Sequence, residues 1–267
     1  MANAWYSRWS DNVLRKVTPS LAAGSLLSSN FPLTHLVDEA PDSLCRLSTT
    51  TVRFVWDKGT PTKIDWVTIG QHNLDQGLSG VLWQGNASNS WGAPSLSAAF
   101  TIPGRDGDEF RIQPRLDLTG IGSRTFQYWS FVVSVANSNP LSFGEIMAFG
   151  TKRIATPNIS WDAESSDERA VTQHQTKAGP GGGYDEGVWA REWNGEIVCT
   201  DAEATEFRTW YRDARGTMRV FAYVPDGDVN ETWIVNFGMP LKRRWRFLDN
   251  NAYGVRLVEA ARGINVE

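Results

Sequence analysis

Cysteine and histidine are scarce in this chain of 267 residues, with only Cys45 and Cys199 and only His35, His72 and His174. Two thiols so far apart form neither a disulfide framework nor a metal-ligand cluster, and they suit a protein made in a reducing cytosol. No Cys-x-x-Cys, His-Glu-x-x-His or Gly-x-Ser-x-Gly run is present, so no local motif offers a metal or an activated nucleophile. No metal, cofactor or catalytic residue is assigned, and a protein that is not an enzyme is expected. Long apolar runs are missing too. No stretch approaches the roughly eighteen apolar residues of a membrane span, and the opening Met1–Trp9 segment has no apolar signal core, so neither secretion by signal peptide nor membrane insertion is expected. An excess of one charge is also lacking. With 26 basic and 30 acidic side chains the net charge is −4, which leaves no electrostatic footprint for a nucleic acid or an anionic membrane.

What the chain has in plenty is tryptophan, 13 copies spread from Trp5 to Trp245. Indole combines a large apolar body with a polar edge, which suits aromatic-rich cores and interfaces. An apolar fraction of 41% and a charged fraction of 21% are those of a globular chain, and the length favours two domains or one large β-rich unit. Most segments alternate at period two. Residues Thr51–Trp56, Lys63–Ile69, Ser97–Ile102, Phe110–Pro114, Phe126–Val135 and Phe143–Phe149 read as strands of a β-sandwich. After a break near 150–156, Arg153–Ser160, Ala170–Gln173, Trp189–Cys199, Met218–Tyr223, Glu231–Phe237, Lys242–Phe247 and Ala252–Ala260 read as a second set. The expected fold is mainly β, with two β-sandwich domains at 51–150 and 151–267, preceded by an irregular arm over 1–50.

One segment departs from that period. Thr200 and Glu203 have capping-box spacing, Phe207, Trp210, Tyr211 and Ala214 form one apolar stripe, and Gly216 can supply a left-handed stop. An amphipathic helix over about 201–214 follows. The Gly-rich stretch 176–187 reads as a flexible loop, either a hairpin tip or a segment ordered on a neighbouring subunit. Carboxylates in Gly104–Phe110 and in Pro225–Asp228 are too closely spaced for an EF-hand and fit tight turns. His72, at the end of a strand, fits a turn-stabilising role. The basic run Lys242–Arg246 splits by alternation into Arg243 and Trp245 on one face and Lys242, Arg244 and Arg246 on the other.

Three runs resemble a known family. Trp66-Val-Thr-Ile-Gly-Gln-His-Asn-Leu74 is similar to the strand-to-turn segment of galactose-binding-like jelly-roll domains in minor tail proteins of tailed bacteriophages. Phe126–Val135, the Asn137–Pro140 turn and Phe143–Gly150 resemble the end of that domain. The order of elements in the second half resembles the distal-tail type of β-sandwich with one helix on its sheet.

The resemblance implies a structural virion protein of a phage tail, made in the bacterial host cytoplasm. Its role would be that of a baseplate adaptor near the tail tip, joining the tail tube protein to hub, tip or fibre proteins. It further implies a homo-oligomeric ring, six-fold in the family, through whose lumen DNA could pass. Candidate subunit-interface residues are Tyr184, Trp189 and Trp193 near the Gly-rich loop and Arg243, Arg244 and Arg246 in the basic strand. The alternative function is a carbohydrate-binding module used in host-surface adhesion, for which Trp83 and Trp91 are the candidate sugar contacts.

Overall fold

The computed structural model describes residues 4–38, 40, 43–103, 113–154, 160–174, 182–225, 232–240, 242–247 and 250–259. For 160–174, 182–192, 242–247 and 250–251 it describes the backbone alone. The first half contributes β1 (Trp5–Tyr6), β2 (Ser20–Ala23), β3 (Cys45–Arg46), β4 (Val52–Lys63), β5 (Trp66–Ile69), β6 (Val81–Asn86), β7 (Leu96–Ala99), β8 (Arg115–Asp117), β9 (Thr125–Val133), β10 (Ser142–Phe143) and β11 (Ile146–Phe149). The second half adds β12 (Arg153–Ile154), β13 (Ser160–His174), β14 (Gly182–Thr200), α1 (Asp201–Asp213), β15 (Phe221–Val224), β16 (Trp233–Phe237), β17 (Lys242–Phe247) and β18 (Asn250–Glu259). The fold is mainly β, with one α-helix among the described residues.

In the first half a five-stranded antiparallel sheet, β2-β4-β9-β6-β7, faces a three-stranded sheet, β11-β5-β8, with β3 and β10 pairing beside them. Alternation explains the packing. Val52, Phe54 and Trp56 of β4, Val81 and Trp83 of β6 and Trp129, Phe131 and Val133 of β9 all point into one core, as residues two apart on a strand must. There Trp83 stacks on Trp129 at 5.9 Å and meets Trp56 at 5.6 Å, while Phe131 packs edge-on against Phe143 at 5.4 Å. Gly85 in β6 has a packing reason to be glycine: a Cβ there would lie 2.4 Å from the Phe126 ring.

The second half is built on one eight-stranded sheet ordered β12-β1-β15-β16-β18-β14-β13, with β17 also paired to β18. Strands β1, β15 and β16 carry apolar residues on both faces, and the two faces have different partners. Phe221 and Tyr223 of β15, Trp233 and Val235 of β16 and Tyr6 of β1 meet the helix residues Ala204, Phe207 and Trp210. The intervening residues Ala222, Val224, Ile234 and Trp5 meet Trp66 of β5 and Met147 and Phe149 of β11. The first half's small sheet is therefore buried on both sides, with Val67, Ile69, Ile146 and Ala148 in one core and Trp66, Met147 and Phe149 in another. The sandwich expected for the second half is completed by the helix on one side and by the neighbouring lobe on the other.

The helix starts as its sequence requires. Glu203 N–H donates to Thr200 Oγ1 at 3.4 Å, and the Glu203 carboxylate accepts from Thr200 N–H at 2.9 Å. Beyond its end Gly216 takes φ +67°, the left-handed conformation in which glycine costs least.

The arm expected over 1–50 does not stand apart. β1 lies between β12 and β15 in the second lobe's sheet, whereas Leu14, Leu36, Val37, Cys45 and Leu47 enter the first lobe's core. Between these, Trp9 lies under two guanidinium groups, Arg15 at 3.5 Å and Arg219 at 3.3 Å from its ring centre. Asp11 binds Arg153 through two bonds of 2.6 and 3.1 Å, and Arg153 reaches Glu206 of α1 at 3.2 Å. The partly buried, bidentate Asp11–Arg153 pair fastens the N-terminal segment to the second lobe.

The Gly-rich stretch differs from its expectation in part. From Gly182 onward it is strand, since β14 pairs with β13 from Gly182 through Glu196. Residues 175–181, the turn at 104–110 and positions 226–228 of the second acidic turn lie outside the described residues.

Candidate functional site

The outer face of the five-stranded sheet is where polar side chains converge without being core. Pairing aligns Ser20, Val55, Ser130, Gln84 and Ser97 in one row across all five strands, and Arg53, Val132, Leu82 and Ala99 in the next. In β4 the neighbours of Arg53 point inward, so the sheet's pleat turns its guanidinium outward. Arg53 Nη1 donates to Gln84 Oε1 at 2.8 Å and to Ser130 Oγ at 3.1 Å. Gln84 Nε2 passes the chain on to Ser97 Oγ at 3.2 Å. Ser130 and Gln84 are buried beneath this network, while Arg53 is half-buried and Ser97 exposed.

Over the row folds the loop from Ala87 to Ser95. Asn86, the last residue of β6, fixes it at both ends: its Nδ2 donates to Ser90 O at 2.6 Å and its Oδ1 accepts from Ser95 Oγ at 2.9 Å. Within the loop Trp91 Nε1 donates to Asn89 Oδ1 at 2.8 Å. The half-buried indole then stands 5.4 Å from the Arg53 guanidinium, a looser contact than the two that grip Trp9. Burial holds Arg53 below the usual arginine pKa, and no carboxylate is among the causes of that shift. Among the described residues Arg53 forms no ion pair.

Each residue expected from the sequence has a definite place. Trp91 is the surface indole of this network. Trp83 is not a surface residue: it faces inward from β6 with no exposed area, because alternation sends Trp83 to the core and Gln84 to the open face. Trp193 is likewise buried, 5.3 Å from Trp233 and 5.9 Å from Tyr223, and fills the second lobe's own core instead of a subunit contact. The side chains of Tyr184, Trp189, Arg243, Arg244 and Arg246 lie outside the described residues, although their backbones form β14 and β17. His72 serves the turn after β5, where its Nδ1 accepts from Leu74 N–H at 3.2 Å. Arg53, Gln84, Ser97 and Ser130 escaped sequence reading. Their signal was present in the period-two pattern, but only the strand order shows that they share one face.

Elsewhere little invites chemistry. A cavity at the seam, bounded by Ser7, Asn12, Glu145, Met147 and Phe221, has about 10 Å³, room for one water at most. Among the described residues no three His, Cys, Asp or Glu side chains gather as metal ligands. Cys45 and Cys199 are buried in separate cores, and burial pushes the Cys45 thiol up to about 12.

No family model and no curated protein matches the chain. Among solved structures it is similar to the lectin domain of lectinolysin complexed with Lewis B antigen, at 15% identity over 53% of this chain and 98% of that one, with a TM-score of 0.40. A chitosan-binding module from a chitosanase/glucanase of Paenibacillus sp. IK-5 matches at 17% identity over 52% and 98%, with a TM-score of 0.39. A fucose-binding module of Streptococcus pneumoniae matches at 16% over 52% and 96%, with a TM-score of 0.38. These three are β-sandwich carbohydrate-binding or lectin modules, and none is a tail component. At such identities and scores they decide nothing about what this chain binds.

Proposed function

We propose that this protein binds carbohydrate on the outer face of its five-stranded sheet. The observation that supports the reading is the Trp91–Arg53–Gln84–Ser97 assembly, an indole at the surface beside a chain of fixed donors and acceptors. A sugar ring has an apolar face of C–H groups and an equatorial rim of hydroxyls. An indole supplies the flat apolar surface and the polar row supplies directional hydrogen bonds, the usual division of labour in small-ligand sites. The described part of the face shows no pair of carboxylates across a cleft, the arrangement glycoside hydrolysis requires. Binding without turnover is the activity proposed.

The test is a glycan screen with the full chain, followed by calorimetric titration of the hits. Trp91→Ala is expected to weaken binding by about thirty-fold or more, the loss typical of an aromatic anchor, with the melting curve unchanged. Undiminished binding by that variant would remove the face from consideration.

A second reading, the ring-forming tail adaptor, draws on the order of sequence motifs and on two sheet edges. Among the described residues β13 has no neighbour beyond β14, and β17 none beyond β18. Unpaired edges are templates for another strand, and a head-to-tail contact between two different edges closes into a ring when its rotation permits. Native mass spectrometry checks this reading. A closed oligomer supports it, and a monomer at every concentration tested, with or without the tail tube protein, removes it.

A further inference from the structure

We propose, building on the carbohydrate-binding reading, that the ligand of this face is an anionic glycan whose carboxylate pairs with Arg53. The premise is an imbalance of charge. Arg53 is half-buried in the centre of the sheet's outer face. Its Nη1 is held by two neutral acceptors, Gln84 Oε1 and Ser130 Oγ. Among the described residues no acidic side chain compensates it. Several other partly buried cations do have an acidic partner: Arg153 has Asp11 and Glu206, Arg8 has Glu206, Lys152 has Asp117, and Arg124 has Asp65, whereas Lys58 is held by the neutral Val13 O. A guanidinium withdrawn from water and given only neutral partners carries an unmet demand for an anion.

Geometry says which kind of anion. Guanidinium presents two paired N–H edges, and the hydrogen bonds to Gln84 and Ser130 occupy Nη1. Nε and Nη2 form the other edge, whose parallel N–H bonds match the two oxygens of a carboxylate. The two bonds on Nη1 fix the plane, so little rotamer freedom is lost when a ligand binds. Trp91, 5.4 Å from the guanidinium centre, is close enough for one sugar residue to stack on the indole while its own carboxylate meets Arg53. A uronic acid and a sialic acid offer that same chemistry, a carboxylate attached directly to a pyranose.

Two matched pairs of probes separate the sources. Trigalacturonate is compared with its methyl ester, and 3′-sialyllactose with lactose; 3′-sulfolactose serves as a non-planar anion. In titrations of the full chain, the acid of at least one pair is expected to bind ten-fold or more tightly than its neutral partner. That preference is expected to shrink as salt rises. Arg53→Gln is expected to bring the acid down to the affinity of the neutral partner, and Arg53→Lys, which keeps the charge but not the paired edge, to retain part of the preference. Equal binding within both pairs, a preference that survives in Arg53→Gln, or 3′-sulfolactose as the tightest ligand overturns the proposal and leaves the sugar-binding reading standing. Absence of binding to all five probes and throughout the wider glycan screen overturns both.

Discussion

Trp66→Ala is expected to destabilise the protein by about 3–5 kcal/mol, the range for deleting a fully buried indole, and to split its unfolding into two steps. Trp66 has no exposed surface and lies at the joint between the lobes. It stacks on Phe149 at 4.3 Å, meets Trp5 edge-on at 6.4 Å, and donates its Nε1–H to Thr151 O at 3.3 Å. Among the described residues the joint is the smallest of the three cores, with Trp5, Met147, Phe149, Ala222, Val224 and Ile234 as the other buried members. Removing one of its two indoles leaves the two lobes with their own cores intact but less apolar surface in common. Urea unfolding followed by fluorescence and by circular dichroism measures the effect. A loss below about 1 kcal/mol with coincident transitions would show that the joint does not couple the lobes.

Trp210→Ala carries a similar penalty, about 3–5 kcal/mol, but should leave the first lobe's transition in place. The indole stacks on Tyr6 at 4.1 Å and packs against Phe221 and Phe237, each at 4.9 Å, and against Phe207 at 5.6 Å. It is the point at which α1, β1 and the central strands meet. Its Nε1 is buried with no hydrogen-bond partner among the described residues, so that part of the side chain contributes no bond to the folded state. Trp210→Phe is therefore expected to cost clearly less than Trp210→Ala. Equal costs for the two substitutions would mean that the ring's full size, and not its apolar contact, sets the penalty. The same denaturant titration, run on all three proteins, decides between these outcomes.

Local signals were legible where they are strong over several residues. The Thr200–Glu203 box and the Phe207, Trp210 stripe specify α1 almost to the residue, since capping and amphipathicity are read from neighbours in the chain. Long alternating segments such as β4 and β9 were equally plain. Two-residue strands are different: β1, β3 and β10 are too short to carry a period, and they exist because distant segments pair with them, β12 and β15 with β1, and β3 and β10 with each other. β5 and β11 read as alternating strands, and nothing local says that both faces are buried or that the second is covered by β15 and β16. The candidate site shows the same limit. Trp91 stood out as an aromatic in a polar loop, and Trp83 stood out equally. Separating them takes the inward or outward sense of β6, which is set by its pairing with β9. Arg53 is an ordinary arginine until three other strands place Gln84, Ser130 and Ser97 around it.

The position of β1 has a consequence for how the chain acquires its structure during synthesis. Trp5 pairs with Val224 and Tyr6 with Tyr223, so this strand waits for partners made more than two hundred residues later. At about 5–20 residues per second the wait is on the order of ten to forty seconds. The jelly-roll lobe can close in that interval, because its strands are contiguous in the growing polypeptide, whereas the C-terminal sheet must be completed by capturing a segment already tethered to a folded neighbour. Such long-separation pairing is slow to form. During that time Trp5, Tyr6 and Trp9 are exposed to whatever binds nascent aromatic residues, and a chaperone or a premature contact between two ribosome-bound chains would act on these residues first.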